Sequence, residues 1–238
     1  LGFAYDHAPI IEDIRINVKK GEFVGLIGPN GSGKSTVLKN IYRALHPDTG
    51  KVNLDGDNLF RLTHKQAATK IGVVGQENVL PFDFKVEEIV AMGRSPHKKL
   101  FDGDSEKDKE IVRNALAYLR MEDMAKRNYL KLSGGEKQRI SIARAILKDA
   151  PIVMLDEATA SIDPENEHFI QGAINELTKG KTVITIAHKL STIENADNII
   201  VIKDGSVLQQ GKHEDLVKTE GVYKRFIEIR KTAEGWSI

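Results

Sequence analysis

"GPNGSGKST", residues 28–36, is the most informative stretch of this 238-residue chain. It follows "GEFVGLIG" (21–28), a short apolar run that is typical of a buried strand in a parallel sheet. It leads into "KSTVLKNIYRAL" (34–45), in which apolar residues recur at helical spacing. A loop of the form G-x-x-x-x-G-K-S between a strand and a helix binds the phosphates of a nucleotide. The sequence therefore predicts an α/β fold with a phosphate-binding loop at residues 28–36.

The residues of this loop suit a nucleotide together with a metal ion. Glycine lets the backbone curl with its N–H groups pointing inward, and the helix that begins near Lys34 adds the positive end of its dipole. We expect Lys34 to reach the β- and γ-phosphates and the Ser35 hydroxyl to ligate Mg²⁺. The residues predicted to contact the nucleotide are Gly28, Pro29, Asn30, Gly31, Ser32, Gly33, Lys34, Ser35 and Thr36.

A second apolar strand, "PIVMLDE" (151–157), ends in two adjacent carboxylates. Burying both without partners would be too costly, so they are expected at an exposed strand end or in a site. Asp156 is placed to hold Mg²⁺ through its water shell. Glu157 is then free to polarise an attacking water, a step worth roughly 10²–10⁴ in rate.

Composition excludes several classes of protein. The net charge is +1 and the basic residues are scattered among acidic ones, so we expect no nucleic-acid partner. The chain has no cysteine, which excludes disulfides and thiolate metal sites. No apolar run approaches the length of a bilayer. The chain begins at Leu1 rather than at methionine, which favours a domain taken from a longer protein.

"LSGGEKQR" (132–139) resembles the signature of the ABC-transporter ATPases, and the family's other motifs follow one another in the expected order. The resemblance covers the chain from Tyr5 to about Phe226. It implies that Tyr5 stacks on the adenine of ATP. It also implies that Gln76 joins the Mg²⁺ site to transmembrane subunits and that His188 contacts the γ-phosphate. The remaining matches are Ser161 and Asp163 of the D-loop.

The signature also has a physical interpretation of its own. Its residues Ser133, Gly134, Gly135 and Glu136 precede or begin the predicted helix "EKQRISIARAILK" (136–148), and a helix N-terminus can bind an anion. The loop at 28–36 already accounts for one nucleotide, so a second such helix end makes sense if it meets the ATP of another subunit. The alternative is an ordinary capped surface helix.

The resemblance implies a second ABC ATPase domain as partner, arranged head to tail around two Mg-ATP. A homodimer and a heterodimer both remain open. It further implies transmembrane transporter subunits as partners and a place at the cytoplasmic face of the membrane. Lys34, Gln76, Glu157 and His188 would be the catalytic residues, and Ser35, Gln76 and Asp156 would hold the metal.

The implied fold is a P-loop NTPase core of mainly parallel sheet, with an antiparallel β region near the N-terminus and an inserted helical subdomain. We expect the core at 1–85 and 132–238 and the helical subdomain at about 86–131. Within it, Ser105 and Asp108 are expected to form a capping box that starts a helix. The final residues, with the only tryptophan (Trp236), have no assigned role.

Two parts of the chain resemble different subfamilies. "FKVEEIVAMGRSPH" (84–97) and the signature resemble ATPases of importers for metal-chelate compounds. "DEATASID" (156–163), with Ala158 where importers more usually have proline, and the stretch from "TVITIA" (182–187) to Tyr223 resemble the exporter subfamily. A natural lineage could mix these features, but our hypothesis is a chimera. Transport direction and substrate stay open.

The sequence leaves three candidate functions. The first is an ATP-hydrolysing domain that powers membrane transport. The second is an ABC-type ATPase of DNA repair, chromosome maintenance or translation, which the absence of a coiled-coil insertion and of a second cassette disfavours. The third is an engineered or chimeric nucleotide-binding module that binds ATP with little turnover.

Overall fold

The computed structural model describes residues 1–75, 83–99, 103, 105–156, 164–187 and 193–234, and within these it describes only the backbone of 164–168 and 230–234. The strands in chain order are β1 (Phe3–Tyr5), β2 (Ala8–Ile11), β3 (Phe23–Ile27), β4 (Asn53–Leu54), β5 (Asp57–Asn58), β6 (Ile71–Val74), β7 (Ile152–Asp156), β8 (Thr182–Ile186), β9 (Asn198–Lys203) and β10 (Ser206–Gly211). The α-helices are α1 (Lys34–Ile41), α2 (His64–Lys70), α3 (Val86–Ala91), α4 (Glu106–Tyr118), α5 (Gly134–Lys148), α6 (Pro164–Thr178), α7 (His213–Leu216) and α8 (Val222–Glu234). Among the described residues, 3-10 segments lie at Leu59–Arg61, Met92–His97, Glu122–Met124 and Tyr129–Lys131.

The chain divides into two compact units. The first comprises Leu1–Leu62 and Thr182–Ile238, and the second comprises Thr63–Lys181. This division was not predicted from the sequence, and the bounds expected for a helical subdomain stay a prediction.

The first unit is built on strands in the order β10-β9-β3-β8. β3 is parallel to both of its neighbours, and β10 is antiparallel to β9. Val24 and Leu26 of β3 are completely buried, which explains why this strand is continuously apolar rather than alternating. β1 and β2 form a separate antiparallel pair. The predicted α/β class, the parallel strands and the antiparallel N-terminal region are confirmed.

The core of the first unit includes the fully buried Tyr223 of α8, which packs with Ile27, Ile193 and Val201. The Tyr223 hydroxyl shares a hydrogen bond of 2.6 Å with Nδ1 of His213. Its backbone N–H donates to Oε1 of Gln209 at 3.0 Å. Burial, and secondarily the charge of Glu194, raises the pKa of the Tyr223 phenol to about 12.

The second unit contains the parallel pair β6 and β7 together with most of the helices. In the described part of this unit, capping boxes with a hydroxyl acceptor start α2 (Thr63 with Gln66), α4 (Ser105 with Asp108) and α5 (Ser133 with Glu136). Each box satisfies backbone N–H groups that a helix start leaves without partners. The box predicted at Ser105 and Asp108 is thereby confirmed.

Helix α1 is shorter than its apolar pattern indicates. It ends at Ile41, and Arg43 adopts a left-handed conformation with φ of 66°. The Arg43 guanidinium donates to the carbonyl of Leu62 at 2.9 Å and lies 5.4 Å from the centre of the Phe60 ring. These contacts within the first unit favour the turn over continued helix, because tertiary packing readily outweighs intrinsic propensity.

Within the described ranges, we find no helix that is both long enough and apolar enough to cross a membrane.

Candidate nucleotide-binding site

The predicted phosphate-binding loop connects β3 to α1 and packs directly on neighbouring backbone. A Cβ placed on Gly28 would lie 1.9 Å from the carbonyl oxygen of Ile202 in β9. A Cβ placed on Gly33 would lie 2.6 Å from Cγ2 of Ile11 in β2. Glycine at these two positions is therefore required for space, and at Gly33 also for its φ of 96°.

Lys34 lies inside the loop. The residue is only 6% exposed, and its Nζ donates to the carbonyl oxygens of Gly28 at 2.9 Å and Pro29 at 2.7 Å. The Ser32 hydroxyl lies 3.5 Å from the same nitrogen. The loop thus surrounds the Lys34 ammonium group, which would attract an anionic phosphate bound in the loop.

The start of α1 differs from the capped helices of the chain. Its N-cap is Gly33, which has no side chain, and its first turn contains no aspartate or glutamate. The N-cap residue therefore supplies no side-chain acceptor, and the first turn of α1 contributes no carboxylate of its own to the positive end of the helix dipole. Together with Lys34, this is the chemistry that a nucleotide's phosphates require, so the residues present fit ATP.

The residues expected to hold Mg²⁺ supply hard oxygen donors. Ser35 lies half-buried in the first turn of α1, and Asp156 lies half-buried at the end of β7. A hydroxyl and a carboxylate are ligands that Mg²⁺ prefers. Each of these two donors is chemically suited to the ion, their joint binding of one ion stays a prediction, and the third expected ligand, Gln76, lies outside the described residues.

The signature forms the first turn of α5. Ser133 is exposed, its Oγ accepts from the N–H of Glu136 at 3.3 Å, and its own N–H donates to Oε2 of Glu136 at 2.7 Å. Gly134 is exposed as well, and a Cβ placed on it would meet no described atom within 4 Å. The helix N-terminus that the sequence predicts is therefore present, and its contact with a second ATP stays a prediction.

The other predicted residues have different outcomes. Tyr5 ends β1 with 44% of its surface exposed and lies edge-on to Phe3, with 4.8 Å between the ring centres. It belongs to the same unit as the phosphate-binding loop, and its adenine contact stays a prediction. The following lie outside the described residues: Gln76, Glu157, Ala158, Ser161, Asp163, His188 and Trp236.

The sequence did not predict that the turn at Asp204 and Gly205 is hydrogen-bonded to the phosphate-binding loop. The N–H of Gly205 donates to the carbonyl of Ser32 at 3.3 Å, and the N–H of Glu12 donates to the carbonyl of Gly205 at 2.9 Å. Asp204 and Gly205 form an Asp-Gly pair between two strands, which is a strong hairpin signal. That signal predicts the turn, but nothing in the sequence indicates which loop the turn supports.

Known proteins with a similar sequence or structure match at least 94% of this chain. The ABC transporter family model matches residues 11–160. The mouse mitochondrial ATP-binding cassette sub-family B member 10 is 38% identical over 94% of this chain and 32% of its own length. The ATP-dependent lipid A-core flippase of Vibrio vulnificus (strain CMCP6) is 38% identical over 97% of this chain and 40% of its own length. Among solved structures, a bacterial Atm1-family ABC exporter with ATP bound is 32% identical, with a TM-score of 0.82 over 96% of this chain and 40% of that one.

The chain thus spans between 32% and 40% of the length of these relatives. Each relative covers both the part that resembles importers and the part that resembles exporters, because the shared region is at least 94% of the chain. These comparisons give no support to the chimera hypothesis, which stays a prediction.

Proposed function

We propose that this chain, which belongs to the ABC transporter family, is the ATP-binding and ATP-hydrolysing domain of a transporter. The observation that carries the proposal is the phosphate-binding loop, which encloses Lys34 at the uncapped start of α1. The relatives add that domains similar to this one occur in proteins named as a flippase and as an exporter.

The proposed chemistry is transfer of the γ-phosphoryl group to water. Phosphoryl transfer depends mainly on positioning and on stabilising charge that develops on oxygen. Lys34 would neutralise the β- and γ-phosphates, Glu157 would polarise the attacking water, and His188 would contact the γ-phosphate. Mg²⁺, held by Ser35, Asp156 and Gln76, would supply charge neutralisation at the phosphate oxygens.

Two such domains would close head to tail around two ATP molecules, with Ser133 of each facing the nucleotide of the other. The exposed start of α5 supports this arrangement, because a helix N-terminus attracts an anion. The two copies would be identical or would come from different chains. The further partners would be transmembrane transporter subunits, so the domain would lie at the cytoplasmic face of a membrane, and we expect no nucleic-acid partner.

A second candidate is a module that binds ATP with little turnover. It is favoured by one fact, that the 238 residues match 32–40% of the length of these relatives. Turnover would then depend on contacts with other segments or subunits, whereas nucleotide binding would not.

Steady-state Mg-ATPase activity over a wide range of protein concentration tests these candidates. We expect specific activity to rise with concentration, because each site needs a second copy. Glu157→Gln should retain ATP binding, lose roughly 10²–10⁴ of the turnover and leave a dimer stabilised by ATP. Glu110→Gln, the same exchange at an exposed position of α4, is the matched control.

Undiminished turnover in Glu157→Gln would remove that residue from its proposed role. ATP binding with turnover that is absent at every concentration would favour the second candidate.

A further inference from the structure

The 3-10 segment Met92–His97 approaches the C-terminal half of α5 very closely. Gly93 is buried, and a Cβ placed on it would lie 2.4 Å from the carbonyl oxygen of Arg144 and 3.0 Å from Cβ of Leu147. No side chain fits between the two backbones at this point. The position of the segment and the position of α5 are therefore set together.

Arg94, the next residue, connects α5 to the start of α4. Its Nε lies 3.2 Å from Oδ1 of Asp108, and its Nη1 donates to the carbonyl of Leu147 at 3.5 Å. The side chains of Arg94 and Asp108 are only 24% and 15% exposed, so solvent screens this ion pair less than a surface pair. A planar guanidinium can hold a carboxylate and a carbonyl at the same time, whereas an ammonium group acts as a single point charge.

Asp108 is itself fixed at the start of α4. One of its oxygens accepts from the Ser105 hydroxyl at 2.6 Å and from the Ser105 N–H at 3.2 Å. The bond from the Ser105 hydroxyl, then the bond from Arg94 and then the bond from the Ser105 N–H lower the pKa of Asp108 to about 2. The carboxylate therefore stays ionised throughout the pH range in which enzymes are ordinarily assayed.

His97 adds a second contact at the same end of α5. Its Nε2 lies 2.8 Å from the carbonyl oxygen of Lys148, and because a carbonyl can only accept, this nitrogen donates. Arg94 and His97 thus cover the carbonyls of the last two residues of α5, where the helix dipole favours donors and cations.

The opposite end of α5 is the signature turn at Ser133. A rigid helix of 15 residues is about 22 Å long, so a tilt of about 3° at its C-terminal end displaces its first turn by about 1 Å. Misplacement by about 1 Å can lower the rate of a positioned reaction by about 10²-fold.

We infer that Arg94 is a positioning residue, which sets the orientation of the signature helix α5 by joining Asp108 of α4 to the carbonyl of Leu147. The inference rests on the proposed function in one respect, that Ser133 acts on the ATP of a second copy. Arg94 does not contact nucleotide in this assignment and acts only through α5.

The test compares three variants of the whole chain with the unchanged protein. Arg94→Met keeps most of the aliphatic stem and removes the guanidinium, and Arg94→Lys restores only the charge. Arg113→Met removes an exposed arginine from α4 and is the matched control. We expect Arg94→Met to lower Mg-ATPase activity about 10–100-fold, with Arg94→Lys between it and the unchanged protein. ATP affinity at low protein concentration should change less than about twofold, because Lys34 and its loop are untouched.

A second measurement reads the orientation of α5 without nucleotide or a second copy. The chain has no cysteine, so Lys137→Cys in α5 and Glu110→Cys in α4 would provide the only two sites for spin labels. Distances between the labels are measured by double electron–electron resonance in the otherwise unchanged, Arg94→Met and Arg113→Met backgrounds. Arg94→Met should shift or broaden the distance distribution by about 1 Å or more, and Arg113→Met should not.

An unchanged distance distribution in Arg94→Met overturns the inference, whatever the activity. A shifted distribution with undiminished activity overturns it too, because Arg94 would then be merely structural. If the unchanged protein has no turnover at any concentration, the proposed function fails. The distance measurement alone then decides whether Arg94 sets the orientation of α5.

Discussion

Replacing Gly33 by alanine should destabilise the chain more than the same replacement at Gly31. Both glycines lie in the phosphate-binding loop and have left-handed φ, 96° at Gly33 and 77° at Gly31, so either alanine introduces about 1 kcal/mol of backbone strain. The two positions differ in their surroundings. A methyl group on Gly33 would lie 2.6 Å from Cγ2 of Ile11 and 3.1 Å from the carbonyl oxygen of Ile10, whereas on Gly31 it would meet no described atom within 4 Å.

The difference between the two variants can be estimated from these distances. The overlap at Gly33 requires β2 or the loop to move, and overpacking of this kind costs about 1–3 kcal/mol. We therefore expect a loss of about 2–4 kcal/mol for Gly33→Ala and about 1 kcal/mol for Gly31→Ala. In a chain of this size each kcal/mol lowers Tm by about 2–4 °C, so the two variants should differ by about 2–12 °C.

Thermal and urea unfolding followed by circular dichroism, both without nucleotide, would measure this difference. Nucleotide is left out because both glycines line the loop and either alanine would also change ATP binding. Equal unfolding midpoints for the two variants, within about 1 °C, would refute the contact between the loop and β2 as the reason for glycine at position 33.

Two further predictions concern titratable groups. Tyr223→Phe removes the hydroxyl bonded to His213 and should lower the free energy of unfolding by about 1–2 kcal/mol, whereas Tyr118→Phe, at an exposed tyrosine, should change it little. Burial raises the pKa of Tyr223 to about 12, above the unfolded value of about 10. Its contribution to folding stability is therefore complete below pH 10 and is lost as the pH rises towards 12. Urea midpoints from pH 9 to 11 should fall more steeply in the unchanged protein than in Tyr223→Phe. The bonds from Ser105, with the ion pair to Arg94, lower the pKa of Asp108 to about 2, below the unfolded value of about 3.9, so its contribution is present above pH 4 and is lost as the pH falls through 2. Urea midpoints from pH 5 to 2 should therefore fall less in Asp108→Asn than in the unchanged protein.

The sequence predicts the local elements of this site well because each depends on neighbouring residues. The apolar run that ends at Gly28 forms β3, the helical pattern from Lys34 onward forms α1, and Ser133 is the N-cap of α5. Ser105 and Asp108 formed their capping box for the same reason, since the two residues are only three positions apart.

Contacts between residues far apart in the chain were not predictable in this way. Gly93 is part of a helical pattern in the sequence, yet its lack of a side chain is explained by Arg144 and Leu147, which lie 51 and 54 positions later. The early end of α1 likewise depends on the contact of Arg43 with Leu62. Neither partner is marked by spacing or composition, because packing between elements is decided by the fold as a whole.

The two helix starts that the sequence assigns to nucleotide differ in a way that matters for a cycle of closing and reopening. At α1 the N-cap is Gly33 and no carboxylate lies in the first turn, so an arriving phosphate displaces no cap. At α5 the groups that would face a second ATP already bond each other, Ser133 to the N–H of Glu136 and Glu136 to the N–H of Ser133. An anion there must compete with the Glu136 carboxylate, which the helix dipole itself favours. We therefore expect the α1 end to hold its nucleotide persistently, while the α5 end suits a contact that forms and breaks with each round of hydrolysis.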